Sequence, residues 1–113
     1  MTANDVTMIA FNHVAADRAD DFEEWLRSTV VPAVEAHRPD QSGRWQLLRS
    51  TGAADGSVLY AMLFEGGGPD DWNLDPLLEE ALGSEPAGRQ LAAFDGMMTA
   101  EQEAWTFTPV SLR

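Results

Sequence analysis

The sequence contains no cysteine and no lysine, and the lack of cysteine removes several classes of function. Without cysteine the chain can form no disulfide, no thiolate nucleophile and no cysteine-ligated zinc or iron–sulfur centre. Its two histidines, His13 and His37, have no partners at metal-ligand spacing, so we expect no metal site. A phosphate-binding glycine loop and a nucleophile elbow are also missing, which argues against nucleotide-dependent enzymes and serine hydrolases.

Positive charge is scarce. The chain has seven arginines and 19 acidic residues, which gives a net charge of -12. Such a surface repels phosphate backbones and anionic lipids, so we expect neither a nucleic-acid partner nor a membrane partner. No apolar run approaches the ~18 residues of a membrane span, and residues 1–6 do not resemble a signal peptide. The expected location is therefore cytoplasmic.

The spacing of apolar residues predicts four strands and two helical regions. Strands are predicted over 7–14, 44–51, 58–64 and 104–110, with a hairpin turn at 52–56 between the second and third. The order of elements is β-α-β-β-α-β. This order predicts an α+β, ferredoxin-like domain spanning residues 1–113, with an antiparallel four-stranded sheet and helices on one face. The glycine-rich stretch 66–69 is interpreted as a loop inside that domain.

The helix boundaries follow from caps and breakers. Asp17 is the predicted N-cap of the first helix, and Pro32 predicts a bend near Val31. The Asp75-Pro76 pair predicts the start of the second helical region. Gly83 breaks this region, which resumes at residue 84.

The third strand, Val58–Phe64, predicts self-association. Its sequence, VLYAMLF, is apolar on both alternating faces. Two helical regions suffice to cover one face of a small sheet, so the other face requires a second cover. We expect that cover to be a second copy of the chain, packed sheet on sheet in a homodimer.

This arrangement resembles the dimeric α/β-barrel superfamily, which includes antibiotic-biosynthesis monooxygenases, polyketide cyclases, haem-degrading enzymes and EthD-like proteins. The most specific match is DDFEEWLRSTVVP at 20–32, where Phe22, Trp25, Val31 and Pro32 stand as in an EthD-like first helix. Many EthD-like chains carry histidine two residues before that proline, whereas this chain has Val30. The resemblance implies a homodimer acting on small molecules without metal or flavin.

Three polar residues are candidates for catalysis. His13 ends the first strand, and its imidazole could act as a general base or bind a substrate, or it could simply bond a loop carbonyl. Tyr60 is the only tyrosine; it could share a cavity with His13, but the favoured interpretation is a core aromatic residue with its hydroxyl at the dimer interface. Asn12 points away from His13. The resemblance implies a catalytic pairing of Asn12 with Trp72 or Trp45.

The candidate substrate-binding residues are mostly aromatic. Arg49 could bind an anionic oxygen or pair with a carboxylate, and Met and Trp side chains adapt to flat apolar ligands, although they also build cores. The full set is Trp25, Trp45, Arg49, Trp72, Phe94 and Met97. With the resemblance, this set predicts a cofactor-free cyclase or monooxygenase for an aromatic or polyketide-like substrate. The alternative is a non-catalytic binding or assembly protein.

Overall fold

The fold is built on a four-stranded antiparallel sheet with strand order β2-β3-β1-β4. The computed structural model describes residues 7–66 and 72–112; residues 67–69 of the predicted glycine-rich loop lie outside these ranges. The strands are β1 (Thr7–Ala15), β2 (Trp45–Ala54), β3 (Ser57–Glu65) and β4 (Glu103–Phe107). The predicted α+β, ferredoxin-like order is confirmed.

The helices all lie on one face of the sheet. They are α1 (Ala19–Trp25), α2 (Val31–His37), α3 (Leu74–Leu82) and α4 (Ser84–Gly96). Short 3-10 turns, Ala16–Arg18 and Pro39–Gln41, flank the first pair. Within the described ranges no helix has the length and apolar character needed to cross a bilayer.

The first helical region departs from a regular α-helix where Pro32 follows. Residues Leu26–Val30 form a π-helical turn between α1 and α2, and the Val31 N–H bonds to the Leu26 carbonyl. Proline lacks the N–H of a regular turn and its ring crowds the preceding carbonyl, so a widened turn accommodates it without ending the helix. The predicted bend near Val31 therefore takes the form of a π turn.

Two predicted helix caps are wrong. Asp17 lies inside the 3-10 turn before α1, and the residue that precedes α1 is Arg18, without a side-chain cap. At α3 the cap is Asn73, whose side chain accepts a hydrogen bond from the Asp75 N–H. Asn and Asp are both good N-caps, and here Asn73, the earlier of the two, has the extended backbone of a cap residue. Gly83, with a positive φ of 90°, ends α3 as predicted.

Even-numbered side chains of β1 and β3 form the covered face of the sheet. The register pairs Ala10 with Met62 and Asn12 with Tyr60, and all four side chains are buried beneath the helices. Phe22 and Trp25 from α1 and Phe94 from α4 complete this core; Phe94 lies 6.1 Å from Phe22 and 5.1 Å from Trp25, and Phe22 lies 4.7 Å from Tyr60. Aromatic pairs at these separations contribute beyond their buried area.

Odd-numbered side chains of β1, β3 and β4 and even-numbered side chains of β2 form the other face, which carries no helix. The largest exposed side chains here belong to β4, where Trp105 is 59% and Phe107 is 47% exposed. Leu48 and Leu59 are also exposed on this face. We call this surface the open face. The predicted fourth strand covers 104–110, whereas β4 ends at Phe107 and is exposed along its whole length in the single chain.

Candidate functional site

A cavity of about 370 Å³ lies between the covered face of the sheet and the helices. Its floor is formed by β1 and β3, and its walls by α4, the start of α3 and the segment entering β4. Most of the lining is apolar and includes two alanines and three aromatic rings. The lining residues are Met8, Ala10, Met62, Phe64, Trp72, Asn73, Leu74, Asp75, Leu91, Phe94, Asp95, Gln102 and Ala104. We call this space the sheet–helix cavity.

Asn12 lies next to the cavity, one step beyond the lining residue Ala10 on the same face of β1. Its side chain is fully buried. The Asn12 Nδ2 atom donates to Met62 Sδ at 3.3 Å, and Asn12 Oδ1 accepts from Gln102 Nε2 at 2.8 Å. Both partners line the cavity. The carboxamide is therefore separated from the cavity by a single side chain in each direction.

Trp72 and Phe94 form aromatic walls of the cavity. The Trp72 ring lies 4.7 Å from Phe64, and its Nε1 donates to the Gly66 carbonyl at 2.7 Å, which fixes the indole plane. Phe94 stacks on Trp25 at 5.1 Å, and Trp25 itself does not line the cavity. Of the six predicted substrate-binding residues, Trp72 and Phe94 are the two that line this cavity.

The other predicted binding residues have different surroundings. Trp25 packs in the core, and its Nε1 donates to Gln90 Oε1 at 2.8 Å. Met97 is also a core residue. Trp45 stacks near Phe64 and lines a neighbouring crevice of about 20 Å³, which has room for little more than one water molecule.

Tyr60 belongs to a separate hydrogen-bonded cluster beneath α1. Its hydroxyl donates to Glu23 Oε2 at 2.5 Å, and Arg49 donates to the same oxygen at 2.7 Å. The Arg49 guanidinium also lies 5.9 Å from the centre of the Tyr60 ring. The alternative interpretation of Arg49 as an ion-pair partner thus matches its contacts, since Arg49 binds a carboxylate of its own chain.

Burial and charge shift the ionisation of this cluster. Burial, followed by the hydrogen bond to Glu23, raises the pKa of Tyr60 to about 12. The hydrogen bond from Tyr60, against some desolvation, lowers the pKa of Glu23 below its usual 4.5, and Arg49 lowers it further. At neutral pH the phenol is therefore neutral and the carboxylate is charged, which is the arrangement of a structural hydrogen bond to an anion.

Tyr60 is a core residue, as favoured, but its hydroxyl contacts Glu23 of its own chain, and it shares no cavity with His13. In the register of β1 and β3, His13 pairs with Leu59 and Asn12 pairs with Tyr60. His13 therefore points to the open face, whereas Tyr60 points to the helices. Positions 13 and 60 differ in parity, and in this antiparallel register only residues of the same parity share a face.

Sequence reasoning missed Gln102 and Glu23. Gln102 precedes β4, and extending the register of Phe11 with Glu103 by one position places it across from Asn12. The signal was present in the topology, since the last strand of a ferredoxin-like fold pairs with the first. Glu23 carried no comparable signal, because its contact with Tyr60 depends on how α1 lies across the sheet.

The described residues contain no cluster of three or more His, Asp or Glu side chains that could hold a metal ion. The polar lining of the sheet–helix cavity consists of two amides, Asn73 and Gln102, and two carboxylates, Asp75 and Asp95. No cationic side chain is among the lining residues that the structure describes. This lining suits hydrogen bonding to a neutral ligand better than binding of an anion.

Comparisons with known proteins place the fold. No protein-family model matches the sequence, and no curated protein matches it. A solved candidate antibiotic biosynthesis monooxygenase from Caulobacter crescentus is similar, with a TM-score of 0.56, 20% identity, and 94% of this chain and 90% of that chain covered. A candidate monooxygenase of the same kind from Nitrosomonas europaea gives a TM-score of 0.56, 12% identity, and coverages of 99% and 96%.

A third similar structure contains a ligand. It is a monooxygenase from Streptomyces coelicolor in complex with nanaomycin D, with a TM-score of 0.50, 10% identity, and coverages of 98% and 92%. At these identities the likeness concerns the backbone. The chain therefore has a ferredoxin-like fold similar to that of the antibiotic biosynthesis monooxygenases.

Proposed function

We propose that this protein is a small-molecule tailoring enzyme whose substrate, a flat and largely apolar aromatic or polyketide-like molecule, binds in the sheet–helix cavity. The observation that carries the proposal is the cavity itself, about 370 Å³ in volume and walled by Phe64, Trp72 and Phe94. Ligand pockets of roughly 300–1,000 Å³ with apolar walls and few polar groups are typical of small-molecule sites. Aromatic rings stack on flat ligands, and the thioethers of Met8 and Met62 adapt to their outline.

The charge of the lining narrows the substrate class. Asp75 and Asp95 are the ionisable groups among the described lining residues, and the whole chain carries a net charge of -12. Both features oppose entry of a carboxylate or phosphate. A neutral substrate, with hydroxyl or carbonyl oxygens that reach amide groups, fits this lining. Asn12 is the group we propose for orienting such an oxygen.

Oxidation is the favoured reaction, and ring closure is the other possibility of the same enzyme class. The similar fold of a monooxygenase that binds nanaomycin D supports oxygen chemistry on a small molecule. In a reaction without metal or flavin, the substrate itself supplies the electrons that reduce dioxygen. Oxidation of an activated ring methylene, CH₂ + O₂ → C=O + H₂O, meets that balance.

A non-catalytic binding protein is the second candidate, and one observation favours it. Among the described residues, every buried side-chain nitrogen or oxygen already has a hydrogen-bond partner. Tyr60 and Asn12 are both engaged, and the ionisable groups among the described lining residues are the exposed carboxylates Asp75 and Asp95, so Tyr60 is not free to act as a general acid in the cavity. A binding protein would use the same aromatic walls without needing such a group.

The experiment that separates these candidates uses a panel of hydroxylated polycyclic aromatics, quinones and haem. Tryptophan fluorescence identifies the binders, and product analysis in air and under nitrogen follows. Product that requires oxygen supports the oxidising enzyme, whereas product formed equally under nitrogen supports ring closure. Binding without product in either atmosphere would refute the enzyme and support the binding protein.

Two variants link any turnover to the cavity. Asn12→Ala removes the proposed orienting carboxamide and should lower kcat/KM by about tenfold, the value of one hydrogen bond of about 1.4 kcal/mol. Gln46→Ala removes a carboxamide from the open face, opposite Leu63, and serves as the matched control. Equal losses in the two variants would contradict a role for the cavity.

We further propose that the protein is a homodimer joined through the open face. Trp105, Phe107, Leu48 and Leu59 present exposed apolar side chains there, which is unusual for a monomer in water. A stable interface of this kind buries about 1,600 Å² in total, roughly 800 Å² from each copy. His13 lies on this face, so it would contribute to the interface and not to the sheet–helix cavity.

A further inference from the structure

We propose that Gln102 occupies the place of a substrate hydroxyl on Asn12, and that it leaves this place when substrate binds. The inference rests on the proposed function, since it concerns the same cavity. It adds that the substrate carries a hydroxyl group on its aromatic system. It also assigns the selection of that hydroxyl to the pair Asn12 and Gln102.

The hydrogen-bond direction defines the ligand group. Gln102 Nε2 donates to Asn12 Oδ1 at 2.8 Å, so whatever replaces Gln102 must also be a donor. A phenolic O–H on a neutral aromatic molecule is such a donor, whereas a carbonyl oxygen or a bare ring is not. The other atom of the carboxamide, Nδ2, faces only the weak acceptor Met62 Sδ at 3.3 Å. A ligand oxygen close to it would be a stronger partner.

The cavity reaches this hydrogen bond on the side of Gln102, which is one of its lining residues. Ala10 on β1 and Ala104 on β4 pair with each other next to Asn12, and both line the cavity together with Gln102. Their small side chains leave room for a ring to approach the Asn12 carboxamide. If Gln102 swings away, the carboxamide forms the end wall of the cavity.

Asn12 and Gln102 differ in how firmly each is held. Asn12 is fully buried in β1, which pairs with a strand on each side. Gln102 is exposed and lies outside regular secondary structure, between α4 and β4. Its departure thus breaks one side-chain hydrogen bond and no strand pairing. This asymmetry is expected of a fixed binding group and a removable partner.

Competition by Gln102 lowers the affinity for a hydroxylated ligand. A hydrogen bond of ordinary net strength keeps the form in which Gln102 is bonded to Asn12 in excess by about three- to tenfold. The apparent affinity of the protein for the hydroxylated ligand falls by the same factor. Removal of the Gln102 side chain should therefore tighten binding of a phenol about three- to tenfold. Binding of a ring without a hydroxyl does not require Asn12 and should be unchanged.

The test measures two probes, 1-naphthol and naphthalene, by equilibrium dialysis against the full chain, the Gln102→Ala variant and the Glu101→Ala variant. Glu101→Ala is the matched control, because this exposed neighbour does not line the cavity. The expected result is a three- to tenfold gain for 1-naphthol in Gln102→Ala alone. In the double variant Asn12→Ala, Gln102→Ala the gain should disappear.

Each outcome decides the inference. An equal change for both probes, no change for 1-naphthol, or a gain that persists without Asn12 would overturn the role of Gln102 and leave the proposed cavity intact. Failure of both probes to bind any variant would overturn the proposed cavity, and the role of Gln102 with it. If the double variant does not fold, the selectivity of Gln102→Ala between the two probes decides the question.

Discussion

Replacement of Tyr60 by phenylalanine tests whether this residue is structural. The change removes one hydroxyl and leaves the ring, which is fully buried and lies 4.7 Å from Phe22. The lost interaction is a hydrogen bond of 2.5 Å to the charged carboxylate of Glu23. Hydrogen bonds to charged groups contribute roughly 1.5–3 kcal/mol. Because Glu23 keeps Arg49 at 2.7 Å, we expect the low end, about 1.5 kcal/mol at pH 7.

The raised pKa of Tyr60 also predicts how the stability of the folded protein changes with pH. The pKa of Tyr60 is raised to about 12, from an ordinary value of 10.0. A group whose pKa is raised on folding stabilises the folded protein fully at pH values below the pKa that the group has in the unfolded chain. This stabilisation is lost as the pH rises through the pKa that the group has in the folded protein. The wild type should therefore lose about 1.4 kcal/mol for each pH unit above 10. Tyr60→Phe has no such loss, so its deficit should close near about pH 11.

Two measurements check this prediction. Denaturant unfolding of both proteins between neutral pH and about pH 11 gives the difference in free energy of unfolding. Because Tyr60 is the only tyrosine, tyrosinate absorbance in an alkaline titration reports its pKa without overlap from another residue. Equal stability of the two proteins at pH 7, together with a phenol that ionises near its ordinary pKa in the folded protein, would refute the hydrogen bond between Tyr60 and Glu23.

Three further predictions concern the core, the open face and the stability at low pH. Trp25→Ala should lower the free energy of unfolding by about 3–5 kcal/mol, because it leaves a cavity against Phe94. Glu24→Ala, at an exposed position, should lower it by almost nothing. Equal denaturant midpoints of the two variants would mean that the buried face of the helix is misassigned. Leu63→Glu on the open face should abolish dimerisation in light scattering at low micromolar concentration, whereas Met62→Glu on the covered face should abolish folding; a wild-type chain that is a stable folded monomer would exclude the homodimer. The pKa of Glu23 is lowered from 4.5, so its stabilising effect is present above that value and is lost as the pH falls through the lowered pKa; Glu23→Gln should flatten this limb of the stability profile, and an unchanged limb would contradict the assignment.

The Asn12 carboxamide illustrates how far the candidate site could be predicted. The sequence marked Asn12 as polar in an apolar strand, and its parity correctly separated it from His13. Its partner Gln102 is 90 residues away, in a segment with no pattern of its own. Only the pairing of β4 with β1 brings the two side chains together.

By itself the sequence determined the fold class, the order of the elements and the two-sided character of Val58–Phe64. These properties follow from local periodicity and from turn and helix signals, which act over a few residues. The tertiary structure alone decided that Tyr60 faces Glu23 and not His13, and that Trp72 and Phe94 line one cavity while Trp25 fills the core. Register between strands and the angle at which α1 crosses the sheet depend on packing between residues distant in the chain, and local spacing does not encode that packing.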